Sequence, residues 1–251
     1  MKAKPEDEPV PTPWPKHLQV IAWAVVWAYA IGLGYITLSS RATTEPPIAF
    51  QDQPVKEAIS HLQEAMRLRP DDPEILNTMG AALEKEGRQQ EAILCYERAM
   101  HVAPHDSKAY NNLGLVLIGM GEDAEAIQNF EHALRVNPND GYARINLGKA
   151  ANNLAWTLAT KDIDPVRAVT LARRACDLTR NRAVPYLDTL AVAYAANGQF
   201  DEAIGTIQSA IDLARSNGQT ELIGELTSHL ELFRGGNAYR ASTTEPPSVR
   251  Q

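Results

Sequence analysis

The sequence predicts an all-α protein in which an N-terminal transmembrane helix precedes an α-solenoid of paired helices and a C-terminal cap helix. Two observations predict this fold. Segment 18–38 is apolar and carries no charge. After it, five alanines recur in similar surroundings at intervals of 34, 34, 42 and 35 residues, namely Ala58, Ala92, Ala126, Ala168 and Ala203. A period of this length is typical of stacked helical units.

The N-terminal region predicts a tail and a membrane anchor. Residues 1–17 are rich in proline and acidic side chains, which favours a disordered tail. Segment 18–38 has 21 residues without a charge, and as a helix it is about 30 Å long, enough to cross the hydrocarbon core of a bilayer. A cleaved signal peptide is the alternative, although its apolar core is usually shorter. We therefore expect a transmembrane helix.

The apolar segment also predicts a packing surface within the bilayer. Ala24, Ala28 and Gly32 recur every four residues and place a stripe of small side chains on one helix face. Small residues allow another transmembrane helix to approach closely. A polytopic membrane protein or a second copy of this chain is therefore an expected partner.

The charges that flank the apolar segment predict its orientation. Three lysines precede it, and Arg41 and Lys56 follow it. Because positive residues favour the cytoplasmic side of a membrane, we expect the N-terminus in the cytoplasm and the repeats on the opposite side.

Residues 39–54 are a predicted linker, because the prolines in RATTEPPIAFQDQP exclude a regular helix there. The predicted repeat array, 55–234, therefore opens on half a repeat or an irregular cap. Ala58, Leu62 and Ala65 mark one face of its helix, and Pro70 follows it.

The next two copies agree position by position. One copy reads Leu76, Met79, Gly80, Leu83, Gly87, Ala92, Tyr96, Ala99 and Pro104, and the other reads Tyr110, Leu113, Gly114, Leu117, Gly121, Ala126, Phe130, Ala133 and Pro138. The first four positions share one helix face, the second glycine permits a turn, and the proline ends a second helix. These residues resemble the tetratricopeptide repeat family, which implies helix-turn-helix units whose first helices line a groove.

The later copies depart from this pattern. In GYARINLGKAANNLAWTLAT two registers lie seven residues apart, which predicts a first helix lengthened by about two turns. Its partner helix is predicted from Pro165 to Leu178. A cap helix is predicted from about Thr220 to Phe233, closed by a glycine pair, and residues 235–251 are a predicted flexible tail.

The C-terminal part has a second resemblance. NNLAWTLAT, DPVRAV, YLDTLAVAYAANGQFDEAI and LFRGGNAYR, between Asn152 and Arg240, are similar to the C-terminal repeat region of many bacterial membrane proteins, including polytopic glycosyltransferases. The resemblance implies a bacterial membrane protein, and together with the apolar segment 18–38 it leads us to expect a single-pass protein of a bacterial inner membrane. In this sequence no catalytic membrane domain precedes the repeats, so we expect no transferase activity.

Composition and spacing favour a protein-binding module over an enzyme or a nucleic-acid binder. A net charge of -7 repels phosphate backbones. Cys95 and Cys176 are 81 residues apart and predict two buried small side chains. His101 and His105 have helical spacing, but Pro104 between them ends the helix. We therefore expect no catalytic residue, no metal and no cofactor.

Asparagines near the Leu-Gly pairs predict a binding site. In the repeats that this chain resembles, the residue before the pair often faces the groove, and an amide side chain can both donate to and accept from a peptide backbone. Nearby basic side chains would attract a carboxylate. A solvated helix surface is the alternative interpretation of the same residues. The predicted groove residues are Asn77, Asn111, Asn112, Arg144, Asn146, Lys149 and Asn153.

Three classes of function agree with this sequence. The first is a membrane-anchored scaffold or adaptor that binds extended segments of partner proteins within a membrane or envelope complex. The second is an assembly or chaperone factor for membrane or secreted proteins. The third is an accessory subunit of a membrane glycan-transfer or secretion machine.

Overall fold

The computed structural model describes residues 53–240, and this range contains ten α-helices. In chain order they are α1 (Gln53–Leu68), α2 (Pro73–Lys85), α3 (Gln89–Val102), α4 (Ser107–Met120), α5 (Asp123–Val136), α6 (Gly141–Thr160), α7 (Pro165–Leu178), α8 (Val184–Ala196), α9 (Phe200–Ser216) and α10 (Thr220–Arg234). The prediction of an all-α solenoid is confirmed for this range. The predicted tail, the predicted transmembrane helix with Ala24, Ala28 and Gly32, and nearly all of the predicted linker lie outside the described residues. None of the ten helices is both long enough and apolar enough to cross a bilayer.

The chain divides into two compact units after Ala65, within α1. The described part of the first unit is the helical segment 53–65. There Ile59 is buried, whereas Ala58 and Leu62 are half-buried. Ala58 therefore differs from Ala92, its predicted equivalent, which is fully buried. The second unit contains the rest of α1 and all later helices.

Aspartates begin the first helices of three successive pairs. Asp72, Asp106 and Asp140 lie in extended backbone just before α2, α4 and α6, and each carboxylate accepts main-chain N–H groups of the following turn. Such side chains satisfy N–H groups that have no partner inside the helix. At the other end of α4, Gly121 has a φ of 80°, in the left-handed region that glycine tolerates best. The predicted turn at this glycine is confirmed.

Glycine and a large aromatic ring set the spacing between the two helices of each regular pair. Tyr96 and Phe130 are completely buried. A Cβ atom placed on Gly80 would lie 2.5 Å from Cε1 of Tyr96, and one on Gly114 would lie 2.6 Å from Cε1 of Phe130. The rings therefore lie directly against glycine backbone in α2 and α4, as the sequence predicts.

The third pair, α6 and α7, is built differently. α6 has 20 residues and α4 has 14, so a longer first helix accounts for most of the difference between the 42-residue interval and the regular 34 residues. α7 has the predicted bounds. Ala172 takes the place of Phe130, and alanines such as Ala151 and Ala168 are fully buried. This pair packs through small side chains instead of around an aromatic ring.

α8, α9 and α10 complete the second unit. Every residue of α8 from Leu187 to Ala195 is buried, so this helix is covered on all sides. α10 packs on α9 and buries Leu226, Leu230 and Phe233 along one face. The predicted cap helix is therefore present, with one face in the core and the other exposed.

Candidate functional site

The candidate site lies on the row of first helices, α2, α4, α6 and α8. Each first helix contacts the next one in the row, and each packs on the second helix of its own pair, which is α3, α5, α7 or α9. We define the inner face as the side of the first-helix row that is turned away from the second helices. This side of the row is not covered by the second helices.

The helical repeat decides which side chains lie on the inner face. Successive residues of an α-helix are about 100° apart, so Leu115 lies opposite the buried Leu113 of α4, with Asn111 one turn before it and Ile118 one turn after it. The exposure of these residues agrees, because Leu115 is exposed and Asn111 and Ile118 are half-buried. The equivalent residues are Asn77, Ala81 and Glu84 in α2, and Ile145, Lys149 and Asn152 in α6.

Asn77 is the most unusual of these side chains. It is 7% exposed, and within residues 53–240 no hydrogen-bond partner lies near its amide nitrogen or its amide oxygen. Burying an amide without hydrogen bonds costs about 1–3 kcal/mol. The neighbouring residue, Thr78, donates its hydroxyl to the Glu74 carbonyl of its own helix.

The other predicted asparagines have internal partners. Asn146 donates its Nδ2 group to Oδ1 of Asn111 over 3.0 Å, which joins α6 to α4. Asn153 donates to Oδ1 of Asp123 over 3.3 Å, at the start of α5. Burial raises the pKa of Asp123, while the Asn153 hydrogen bond acts in the opposite direction. Asn112 is half-buried.

The two predicted basic residues, Lys149 and Arg144, lie on different faces of α6. Lys149 is exposed on the inner face, as is Lys108, the first inner-face residue of α4. Arg144 is also exposed, but it takes the helical position of Tyr110, which packs toward α5 and lies off the inner face. The structure therefore brings Lys149, but not Arg144, to the same face as the asparagines.

Two apolar residues of this face were missed by the sequence analysis. Tyr142 is 79% exposed and Ile145 is 61% exposed, although both are large and lie in the first two turns of α6. They occupy the positions of Lys108 and Asn111 in α4. When the repeats are aligned, apolar residues replace polar ones at these two inner-face positions. This replacement is the sequence signal by which the two residues could have been identified.

At α8 the inner face is closed. The residues equivalent to Asn111, Leu115 and Ile118 are Asp188, Val192 and Ala195, and all three are buried. Nδ1 of His229, in α10, lies 2.7 Å from Oδ1 of Asp188. Because a carboxylate accepts hydrogen bonds, Nδ1 is the protonated ring nitrogen in this contact. This pair was not predicted from the sequence, in which its members are 41 residues apart.

Aromatic rings cover the His229 side chain. The ring of Tyr239 lies 4.7 Å from the ring of His229 and 5.5 Å from the ring of Trp156, measured between centroids. Trp156 belongs to the extra length of α6, one turn beyond Asn152 on the inner face. Side chains from α6 and α10 therefore meet above α8.

The described residues contain no group of three or more side chains suited to holding a metal ion. Cys95 is half-buried and Cys176 is buried, and both are free thiols. Burial raises the pKa of Cys176 to about 12 and also raises the pKa of Cys95. Both thiols are therefore protonated near neutral pH, which makes them poor nucleophiles.

Comparisons with known proteins agree with the repeat architecture. Three segments match models of the tetratricopeptide repeat, at residues 73–106, 107–140 and 187–221. The search of curated proteins finds no match.

Solved structures of MamA proteins have a similar fold. One, described as the crystal structure of MamA protein, is 18% identical with a TM-score of 0.53, over 68% of this chain and 89% of that chain. Another, from Desulfovibrio magneticus RS-1, is 24% identical with a TM-score of 0.51, over 64% of this chain and 86% of that chain. At these identities the similarity concerns the fold. The segments that match the repeat models confirm the tetratricopeptide repeats predicted at residues 73–140 and 187–221.

Proposed function

We propose that this chain is a scaffold or adaptor that binds an extended segment of a partner protein on the inner face of α2, α4 and α6. The proposed contact residues are Asn77, Asn111, Asn112, Tyr142, Ile145, Asn146, Lys149 and Asn153. The face runs across three helices and is exposed at Leu115, Ile145 and Lys149, which suits an extended chain better than a compact small molecule.

Asn77 is the observation that carries this proposal. A nearly buried amide with no hydrogen-bond partner in the described range lowers the stability of the free protein. A peptide backbone offers one N–H and one C=O per residue, and Asn77 can pair with both. Binding a backbone of any sequence would therefore recover the hydrogen bonds that the free protein lacks at this position.

The surroundings of the asparagines define the chemistry of the bound segment. Leu115, Tyr142 and Ile145 expose apolar surface, and burying it against an apolar side chain of the partner is favourable. Lys108 and Lys149 add positive charge to the same face. The expected ligand is an extended segment with an apolar residue followed or preceded by a carboxylate.

A displayed library of random twelve-residue peptides, selected on the full chain, tests this function. The affinity of a selected peptide is then measured by fluorescence anisotropy. Asn77→Leu should weaken binding by at least tenfold and should raise the free energy of unfolding by about 1 kcal/mol, because it removes an unsatisfied buried amide. Asn129→Leu, on the second helix α5, is the matched control and should leave binding unchanged. Equal losses in both variants, or none in Asn77→Leu, would contradict the proposal.

Membrane attachment is a further part of this proposal. Segment 18–38 supports it through its length and lack of charge, and the stripe of Ala24, Ala28 and Gly32 favours a polytopic membrane protein as a lateral partner. The flanking charges favour repeats on the non-cytoplasmic side of a bacterial inner membrane.

Fractionation and labelling test the attachment. The full chain should stay with membranes after alkaline extraction, and deletion of residues 18–38 should release it. A cysteine introduced by Glu245→Cys, with Cys95 and Cys176 replaced by serine, should react with a membrane-impermeant maleimide in intact spheroplasts. Labelling only after lysis would place the repeats in the cytoplasm.

A further inference from the structure

The four residues after the glycine pair, Asn237–Arg240, fold back onto α6, and we call them the strap. Gly235 follows the last residue of α10, and Gly236 has a φ of 70°, which turns the chain out of the helical direction. The Asn237 side chain donates to the nearby Gly235 carbonyl, and its main-chain N–H donates to the Leu232 carbonyl in the last turn of α10. The contacts of the strap with earlier helices are made by the side chains of Tyr239 and Arg240.

Tyr239 covers the buried polar pair on the inner face of α8. Its ring lies edge-on to His229 and tilted against Trp156, geometries that aromatic rings favour. Beneath it, His229 is 3% exposed and Asp188 is 1% exposed. Tyr239 therefore helps to keep water from the hydrogen bond between the imidazole and the carboxylate.

Arg240 binds the end of α6. It donates one N–H group to the Ala159 carbonyl over 3.1 Å and another to Oδ2 of Asp162 over 2.9 Å. Ala159 lies in the last turn of α6, where the helix dipole favours positive charge, and its carbonyl also accepts from the main-chain N–H of Asp162. Asp162 has a φ of 55°, which is uncommon for a residue other than glycine. The guanidinium thus meets a helix end and a carboxylate at once.

We propose that the inner face of α8, with the end of α6, is a binding site for an aromatic side chain followed by arginine, and that Tyr239 and Arg240 of the same chain occupy it. Trp156 and His229 form the aromatic part of the site, and Ala159 and Asp162 form the arginine part. This inference concerns α8 and is independent of peptide binding at α2, α4 and α6. Because Tyr239 and Arg240 occupy the inner face of α8, a partner segment can bind only on the inner face of α2, α4 and α6.

Trypsin digestion of the full chain tests whether the strap occupies the site. In the wild type the bond after Arg240 should be cut at least tenfold more slowly than in the Tyr239→Ala variant. The bond after Arg180, in the loop between α7 and α8, is the internal control and should be cut at equal rates in both proteins. Equal rates after Arg240 would overturn the proposal.

A labelled peptide with the sequence of residues 237–251 tests recognition of the segment in trans. It should bind the full-chain double variant Tyr239→Ala/Arg240→Ala at least tenfold more tightly than the wild type, whose site is already filled. A matched peptide with alanine at the positions of Tyr239 and Arg240 should bind neither protein. Equal binding to both proteins, or no binding to the double variant, would overturn the proposed site.

Discussion

α4 and α8 occupy the same position in their repeats, yet their inner faces differ completely. In α4 the inner-face residues Asn111, Leu115 and Ile118 are half-buried or exposed. In α8 the equivalent residues are buried beneath side chains from α6, α10 and the strap. The repeat pattern therefore fixes the direction of a side chain, and later parts of the chain decide whether a partner can reach it.

The contacts made by the equivalent polar residues explain this difference. Asn111 accepts from Asn146 of the next first helix and stays beside an open surface. Asp188 takes its hydrogen bond from His229 in α10, which occupies the place of a next first helix. Open inner-face positions suit recognition of another chain, and closed ones hold the end of the array together.

Removing the two hydrogen bonds at equivalent positions should give the largest contrast. His229→Ala removes the imidazole from a buried carboxylate and leaves space in the core, which should lower the free energy of unfolding by about 3 kcal/mol. Asn146→Ala removes a half-buried hydrogen bond and should cost about 1 kcal/mol. Urea denaturation measures both. Similar losses would show that the hydrogen bonds on the inner faces of α4 and α8 contribute equally to stability.

Adding a methyl group to a helical glycine should distinguish the regular pair from the long one. Gly114→Ala forces a Cβ atom against the Phe130 ring and should cost about 1–3 kcal/mol. Gly148→Ala, the equivalent change in α6, meets its nearest atoms at 3.6 Å, an ordinary contact. There the better helix propensity of alanine should stabilise the protein by about 0.5–1 kcal/mol. Thermal unfolding followed by circular dichroism should therefore give melting temperatures that shift in opposite directions.

The smallest effect is expected at Asp123, where α5 meets α6. Burial raises the pKa of this carboxyl in the folded protein, so the folded state binds a proton more readily than the unfolded state. The stability that Asp123 contributes is therefore greatest at pH values below its unfolded pKa and declines as the pH rises through the folded pKa.

Asp123→Asn removes this titration and keeps an oxygen that can accept from Asn153. The variant should gain stability relative to the wild type as the pH rises above the ordinary pKa of an aspartate, because the wild type must then keep a charged carboxylate in a partly buried position. Glu125→Gln, an exposed change in the same helical turn, controls for charge at the start of α5. A difference that does not vary with pH would contradict the role of burial.

Local signals explain why the helices were predictable from the sequence. Glycine at Gly121 and proline at Pro165 mark helix ends through backbone conformation, and their effect does not depend on distant residues. The spacing of Leu113 and Gly114 from Phe130 likewise reports a contact within one unit. The bounds of α7 and the length of α6 follow from such signals.

The candidate site was less predictable because each of its polar side chains can form hydrogen bonds with several alternative partners. Asn146 and Asn153 fit a peptide-binding row by position, but each has a hydrogen-bond acceptor on a neighbouring helix. Asn77 has none within the described residues, and nothing in its sequence context distinguishes it from Asn111. The strap depends on contacts 78 and 81 residues apart, and no repeat period encodes such a separation.

The hydrogen bonds of Arg240 also have a consequence for folding. In an array of repeats each unit touches mainly its neighbours, so units can unfold one after another from an end. Arg240 lies beyond α10 and bonds α6, so its hydrogen bonds close a long loop of chain. Closing this loop lowers the conformational entropy of the chain, and this loss is offset only when the contacts among α6 to α10 are all formed. Helices α6 to α10 should therefore open as one cooperative unit, with similar rates of amide hydrogen exchange, whereas α2 to α5 can exchange in smaller steps.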